Sequence, residues 1–377
     1  MVWTAFSNHL DVLYGAVVAL AVVVLLTPAV GGMARLLGAV DRHEGGRRAA
    51  PRGVPRLGGL ALFLGIFVPS LAFLPLSGEM RGILLGAAVA TTIGAIDDFR
   101  GLAWWEKLAG QVGAAAIPTG FGVWVHSFTL VGVWELPKPF GIGLTIVGIV
   151  AVMNMVNFLD GLDGLAAGVC AIAALTFCLI DLSKGIISAA ILTAIVFGGC
   201  LGFLRHNFFP ARIFMGDSGA LLLGFTLASV SVQGLLKTAA LATLALPLLV
   251  LAVPLIDTSF VVARRIKHGQ PFYLADRQHL HHRFENIGFS QRRSVIYLYG
   301  WCLTLAVAAL ASHFVPVRSR HGDWKPENVT IDAVVALAAL GYSIYVVYLL
   351  EIVKLANPFI RRRLEQEQVA TKSRALG

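Results

Sequence analysis

Arg212-Ile213-Phe214-Met215-Gly216-Asp217-Ser218-Gly219 lies between two long apolar runs, roughly 186–204 and 220–236. A carboxylate at such a boundary is costly unless a cation, a basic partner or a water-filled cavity compensates it. Three other boundaries carry groups of the same kind. They are Asp97-Asp98, the run from Asn154 to Asp163, and the run from Asp276 to Arg283. The four stretches are expected to meet on one membrane face.

The bulk numbers support that frame. The chain has 377 residues, 57% hydrophobic and 14% charged, and its mean hydropathy is +0.78. Soluble domains average about 25% charged residues, so this is an integral membrane protein. Repeated apolar runs near the length of a membrane span indicate an α-helical bundle; barrel strands would alternate instead. The net charge of +9 is carried mainly by loops, so it reads as membrane orientation and not as a nucleic-acid surface. Cys170, Cys178, Cys200 and Cys302 each lie inside an apolar run without metal-ligand spacing, and they read as small buried hydrophobes. The first apolar run has no basic leader and no small-residue cleavage site, so it is expected to be a retained span.

The expected fold is all-α, a polytopic bundle of about 10–11 transmembrane helices. Spans are expected at roughly 12–34, 57–77, 81–96, 107–125, 139–157, 165–182, 185–204, 218–236, 239–263, 294–316 and 331–353. The third is short for a 30 Å hydrocarbon core. Residues 1–360 form one membrane domain, and 361–377 form a basic cytoplasmic tail. With the N-terminus outside, only Arg81, Lys138, Lys184, Lys237, Arg318, Arg320 and Lys325 of the 30 Lys and Arg residues fall outside. The positive-inside rule then puts the C-terminus and all four polar stretches on the cytoplasmic side. The outer loops are expected to be short or chemically plain.

The inward stretches have a chemistry in common. Adjacent Asp97 and Asp98 raise each other's pKa unless a cation lies close, and one of them suits general-base work. A solvated helix end is the plainer account. Asn154/Asn157 and Asp160/Asp163 have i, i+3 spacing, so each pair shares a face if the segment is helical. The ligand pattern of an EF-hand is absent. Asp217 is a hard oxygen ligand suited to Mg²⁺ or, in a plainer role, an N-cap. Ser218 and Gly219 can open a helix whose N–H groups favour phosphate. Phe214 could stack a base, although an isolated Phe is more often core. Asp257, inside the ninth span, is an intramembrane carboxylate and a functional candidate by default; a structural hydrogen bond near Pro254 is the other account. His279, His281 and His282 sit between Arg277 and Arg283. The cluster lacks Cys partners and His-x₃-His spacing, so it suits pyrophosphate better than zinc.

These residues resemble the polyprenyl-phosphate N-acetylhexosamine-1-phosphate transferase family (glycosyltransferase family 4). The resemblance is to its WecA/TagO-like branch, related to MraY. The matching motifs are Pro55-Arg56-Leu57-Gly58-Gly59, Ile96-Asp97-Asp98, Lys107-Leu108-Ala109-Gly110-Gln111, Asn157 to Gly164, Phe214 to Gly219, and His279-Leu280-His281-His282-Arg283. The histidine motif and Pro254-Leu255-Ile256-Asp257-Thr258 followed by Arg264-Arg265 point to the branch. Two features depart from its pattern. The first loop lacks an Asp-x-Pro opening after Asp41, and Asp97-Asp98 continues as Phe-Arg-Gly.

The resemblance implies an Mg²⁺-dependent transferase of the bacterial inner membrane, with Mn²⁺ as a substitute ion. It would move GlcNAc 1-phosphate from UDP-GlcNAc to undecaprenyl phosphate and release UMP, starting a cell-envelope polysaccharide. By analogy Asp217 binds the metal, Asp97 deprotonates or orients the lipid phosphate, and Asp98 assists the metal or Lys107. Asp160, Asp163 and Asn207 belong to the nucleotide pocket, with Phe214 against uracil; Asp160, Asp163 and His279 are also expected to take part in catalysis, and Lys107 and Asn157 to contact substrate. His279, His281, His282 and Arg283 hold the pyrophosphate or the sugar, with Asp257, Arg265 and Arg56 as further substrate contacts. Direct attack by the lipid phosphate is preferred to a covalent Asp intermediate. The resemblance also implies a homodimer. The alternatives are transfer of phospho-MurNAc-pentapeptide or another UDP-HexNAc, a secondary transporter using Asp257, and a catalytically dead scaffold.

Overall fold

A computed structural model of the chain describes residues 9–41, 53–129, 133–236, 290–315, 317 and 324–349. Ten helices account for most of them. In order they are α1 (Leu10–Leu36), α2 (Gly58–Phe73), α3 (Gly78–Arg100), α4 (Trp104–Gly120) and α5 (Lys138–Leu159). They continue with α6 (Leu165–Ser183), α7 (Ile187–Asn207), α8 (Gly216–Leu236), α9 (Gln291–Phe314) and α10 (Pro326–Leu349). Ten of the eleven expected spans fall on these helices. The ninth, 239–263, lies outside the described residues, as does the tail. Seven of the described helices are long and apolar enough to cross a membrane.

The third span differs from its expectation. Helix α3 runs for 23 residues, about 34 Å at the usual rise, and is not short. Hydropathy missed its ends because they are polar. Ser77 caps the start by accepting the Met80 N–H (3.3 Å), and Gly101, at φ 66°, stops the helix just past Asp97 and Asp98. The loops also hold two short antiparallel pairs that hydropathy does not signal. Strand β1 (Val40–Asp41) pairs with β2 (Val54–Pro55), and β3 (Ser127–Thr129) pairs with β4 (Val133–Glu135) between α4 and α5.

Helix α8 is the axis of the bundle. Its side chains from Ala220 to Val230 are almost all buried, and it packs on α3, α5 and α2. Helix α7 lies against α1 and α6, and α9 joins α6 to α10. A helix apolar on every side fits a buried membrane position. Through α8, successive helices run in opposite directions, so their alternate ends gather at one end of the bundle. There stand the starts of α2, α4, α6, α8 and α9 and the ends of α3, α5 and α7. Hydrogen bonds among them, described next, establish that shared end.

Candidate active site

The site is assembled around the start of α8. The Phe214 N–H donates to the Pro55 carbonyl (2.8 Å), and Gly58 and Gly59 donate to the carbonyls of Phe214 (3.0 Å) and Met215 (2.8 Å). The segment before α2 is thereby laced to the segment before α8. Gly216 then turns the chain with φ 71°. A Cβ at this position would strike the Arg56 carbonyl and the Asp98 carboxylate, so only glycine serves. Gly94 lets α3 approach equally closely, since a Cβ there would sit 2.5 Å from the Asp217 carbonyl.

Asp97 and Asp98 are adjacent but do different work, because neighbouring residues on a helix point about 100° apart. Asp98 reaches α8. Its Oδ1 accepts the Asp217 N–H (2.8 Å), and its Oδ2 accepts both the Ser218 N–H (3.0 Å) and the Ser218 hydroxyl (2.8 Å). This corrects two expectations. The N–H groups opening α8 hold a carboxylate of the protein, and are not left open for phosphate. Asp217 is not the cap; Asp98 caps α8 from another helix. That releases the Asp217 side chain for a second cluster.

In that cluster Asp97 faces α4. Its Oδ2 lies 2.9 Å from the Lys107 ammonium, and its Oδ1 accepts the Leu102 N–H (2.6 Å). Lys107 also donates to Asp217 Oδ2 and, at 3.4 Å, to Asn157 Oδ1. Asn157 Nδ2 donates to Asp217 Oδ1 at 2.7 Å. One turn further from the end, Gln111 and Asn154 exchange amide hydrogen bonds of 3.3 and 2.8 Å. Asn154 and Asn157 do share a face, as their spacing requires, and both meet α4.

Asp160 and Asp163 part company, because the helix they would have shared ends at Leu159. Asp160 faces Asp217 and Asp98, with Arg56 and the Gly216 N–H as its compensating neighbours. Loss of water pushes its carboxyl well above the ordinary carboxylate range, and the Asp217 and Asp98 charges push the same way. Asp163 instead accepts the Ala211 N–H (3.0 Å).

Asn207 is 2% exposed and sits in no open pocket. Its Oδ1 accepts the Gly164 N–H (3.0 Å), and its Nδ2 donates to the Ile213 carbonyl (2.9 Å). The Gly164 carbonyl accepts the Tyr299 hydroxyl from α9 (2.6 Å). Asn207, Asp163 and Tyr299 thus hold the loop carrying Asp160 in register with the loop carrying Asp217. Sequence reading placed Ser218 at a helix start but not its bond to Asp98, and it missed Tyr299 and Leu102; nothing in the sequence singles out a tyrosine within α9's apolar run.

Of the residues expected at the site, Asp97, Asp98, Lys107, Asn157, Asp160 and Asp217 converge. Asp163 and Asn207 brace the surrounding loops. Phe214 is half-buried beside the cluster, with its backbone bonded as described. Asp257, Arg265, His279, His281, His282 and Arg283 lie outside the described residues.

The donor set suits a hard divalent cation. Four carboxylates, those of Asp97, Asp98, Asp160 and Asp217, are set against the cations Lys107 and Arg56. A divalent ion matches the deficit. Among the described residues no group of three or more His, Cys, Asp or Glu side chains is gathered at ligand distance. Mg²⁺ needs no such cage, since it keeps waters and takes one or two carboxylates plus substrate phosphates. Asp217 and Asp97 offer those carboxylates; Asp98 is engaged with α8.

Comparison with known proteins gives the family. Residues 80–235 match the model of glycosyl transferase family 4, a stretch that contains the whole carboxylate–lysine cluster. The chain is 36% identical over 304 residues to the probable undecaprenyl-phosphate N-acetylglucosaminyl 1-phosphate transferase of Bacillus subtilis, covering 78% of this chain and 84% of that protein. It is 36% identical over 300 residues to the decaprenyl-phosphate N-acetylglucosaminephosphotransferase of Mycobacterium leprae, covering 70% and 75%. It is 35% identical over 338 residues to the phospho-N-acetylmuramoyl-pentapeptide-transferase of Desulforudis audaxviator, covering 80% and 98%. The family model and these relatives together show that the chain belongs to glycosyl transferase family 4.

Proposed function

We propose that this protein transfers GlcNAc 1-phosphate from UDP-GlcNAc to undecaprenyl phosphate. One observation carries the reading. Lys107, Asp97, Asn157 and Asp217 meet at the ends of four helices, in a chain whose relatives are named for moving N-acetylglucosamine phosphate onto polyprenyl phosphates. A phosphate oxygen of the lipid attacks the phosphorus that bears GlcNAc. The bond from that phosphorus to the bridging oxygen breaks, and UMP leaves with that oxygen. The products are the lipid pyrophosphoryl sugar and UMP.

Phosphoryl transfer asks the protein mainly to position groups and balance charge. Lys107 supplies a fixed positive charge for the lipid phosphate or the pyrophosphate. Asp97, pinned by the Leu102 N–H, holds that ammonium in place. Asn157 fixes the Asp217 carboxylate from α5. Mg²⁺, held by Asp217 with Asp97, would neutralise charge building on the pyrophosphate oxygens. The charge deficit among the carboxylates supports that ion. The positive-inside count supports a cytoplasmic site, an outer N-terminus and an inner C-terminus in the bacterial inner membrane. The homodimer rests on the resemblance alone and is tested by the mass of the protein in native membrane mimetics.

The test uses purified protein, undecaprenyl phosphate and UDP-GlcNAc labelled in the sugar, with and without Mg²⁺. Label entering the lipid with release of UMP is the expected result. UDP-MurNAc-pentapeptide is run in parallel, because relatives of that activity cover nearly their whole length here. Labelling only from that donor overturns the GlcNAc assignment. Product formed equally well in EDTA overturns the cation.

A further inference from the structure

Helices α2 and α3 follow each other in sequence yet pack only lightly together. Between their halves nearest the carboxylates lies an open groove of about 780 Å³. Its walls are Leu60 and Phe63 from α2 and, from α3, the stripe Ala88, Thr92, Ala95 and Phe99 with Thr91 and Ile96. The threonines add no free polarity, since Thr91 and Thr92 turn their hydroxyls back to the carbonyls of Ala87 and Ala88 (2.8 Å each). Both hydroxyls are thereby satisfied within α3. Ile96 and Phe99 are 39% and 47% exposed. One charged group lines it, Arg100, at the end level with Asp97 and Asp98. Arg100 is exposed and makes no salt bridge among the described residues.

We propose that this groove binds an anionic phospholipid of the surrounding leaflet. One acyl chain would lie between α2 and α3, and the lipid phosphate would pair with Arg100. Length supports the fit. From Ala88 to Arg100 the groove follows α3 for about 18 Å, close to the roughly 15 Å depth of one leaflet's hydrocarbon. Charge supports it as well: an arginine at head-group level above an apolar slot, without an acidic partner among the described residues, complements an anionic amphiphile.

The groove is separate from the reacting cluster. Asp97 lies roughly 160° around α3 from the middle of the stripe, where it meets Lys107. The acyl chain in the groove is therefore turned away from Asp97, and only the head group on Arg100, three residues beyond Asp97, comes near that face. Its effect would pass through α3 itself. The last turns of that helix carry Asp97 and the Asp98 cap of α8, so filling the groove would steady both. The activity part of this inference rests on the transferase reading; the binding part does not.

The experiment uses the full chain in nanodiscs of phosphatidylcholine alone or with phosphatidylglycerol, at a fixed amount of undecaprenyl phosphate. Native mass spectrometry reads retained lipid, and label transfer reads turnover. Phosphatidylglycerol is expected to be retained roughly fivefold more strongly than phosphatidylcholine, the scale of one arginine at an anionic surface, and to raise kcat. Arg100→Gln should remove both the retention and the stimulation, leaving turnover in phosphatidylcholine unchanged. Ala95→Phe, which fills the slot, should lower retention even where Arg100 is intact. Thermal unfolding confirms that both variants fold. Equal retention by wild type and both variants overturns the site. Retention of undecaprenyl phosphate but not phosphatidylglycerol at Arg100 overturns the assigned occupant. Retention without stimulation overturns the regulatory role, whatever donor the enzyme uses.

Discussion

The two ends of the α3–α8 pair are both polar, and they are built differently. At one end Asp98 caps α8, and Lys107 joins Asp97, Asp217 and Asn157. Four helices contribute, and each carboxylate there has a donor or a cation. At the other end Glu79 accepts from Gln233 Nε2 at 2.9 Å. Gln233 is 1% exposed and Ser229 0%, yet Gln233 Oε1 and Ser229 Oγ have no hydrogen-bond partner among the described residues. Polarity inside a membrane bundle therefore does not by itself mark a working site. Convergence from several elements does, since charge in low dielectric is tolerated only where partners are fixed around it.

The largest effect is expected at Asp217. Asp217→Asn keeps the shape but removes the charge that Lys107 and Asn157 orient, and should lower turnover by roughly 10³-fold or more. Fold should persist, as read by thermal unfolding. An active Asp217→Asn protein would erase the functional difference between the two ends.

Next is Asp98→Ala. It strands the Asp217 and Ser218 N–H groups and is expected to cost about 2 kcal/mol of stability. Turnover should fall by roughly 10²-fold as the Asp217 turn shifts. Denaturation in detergent and label transfer measure the two effects separately.

Asp160→Asn sharpens the comparison by its sign. The folded protein holds the Asp160 proton more tightly than the unfolded chain does. Stability is then full below the ordinary carboxylate pKa of about 4 and declines as pH rises through the elevated folded value. The substitution removes that decline. Without divalent ion, the variant should melt roughly 2–4 °C higher than wild type at pH 8 and level with it at pH 4. Added Mg²⁺ should narrow the gap at pH 8.

The smallest effect is expected at the other end. Gln233→Leu removes a buried amide oxygen without a partner among the described residues together with the Nε2 donor of Glu79; the two offset, and stability should change by less than about 1 kcal/mol. Transfer activity should stay within about twofold of wild type. A large loss of activity would mean that the far end is coupled to the chemistry.

Much of this was legible in the chain. Apolar runs located ten helices, and the parity of spans gathered the polar stretches on one face. Within the described residues that gathering holds for Asp97-Asp98, for Asn157 with Asp160, and for Asp217. Hydropathy could not see the ends of α3, because Glu79, Arg81, Asp97 and Asp98 mask a helix that caps and glycine delimit. Nor could spacing foresee that Asp160 and Asp163 separate, because one turn of helix fewer sends them to different partners.

The sequence by itself determined the membrane setting, the helix order and the chemical character of the site. These follow from local hydropathy and from the cost of placing charge near lipid, both readable along one dimension. Only the tertiary structure decided which carboxylate does what. Asp98 became a cap for a helix 119 residues away, and Asn207 became a brace between two loops. Tyr299 joined them from α9. Those roles depend on which donor lies within about 3 Å, a distance that chain order does not encode.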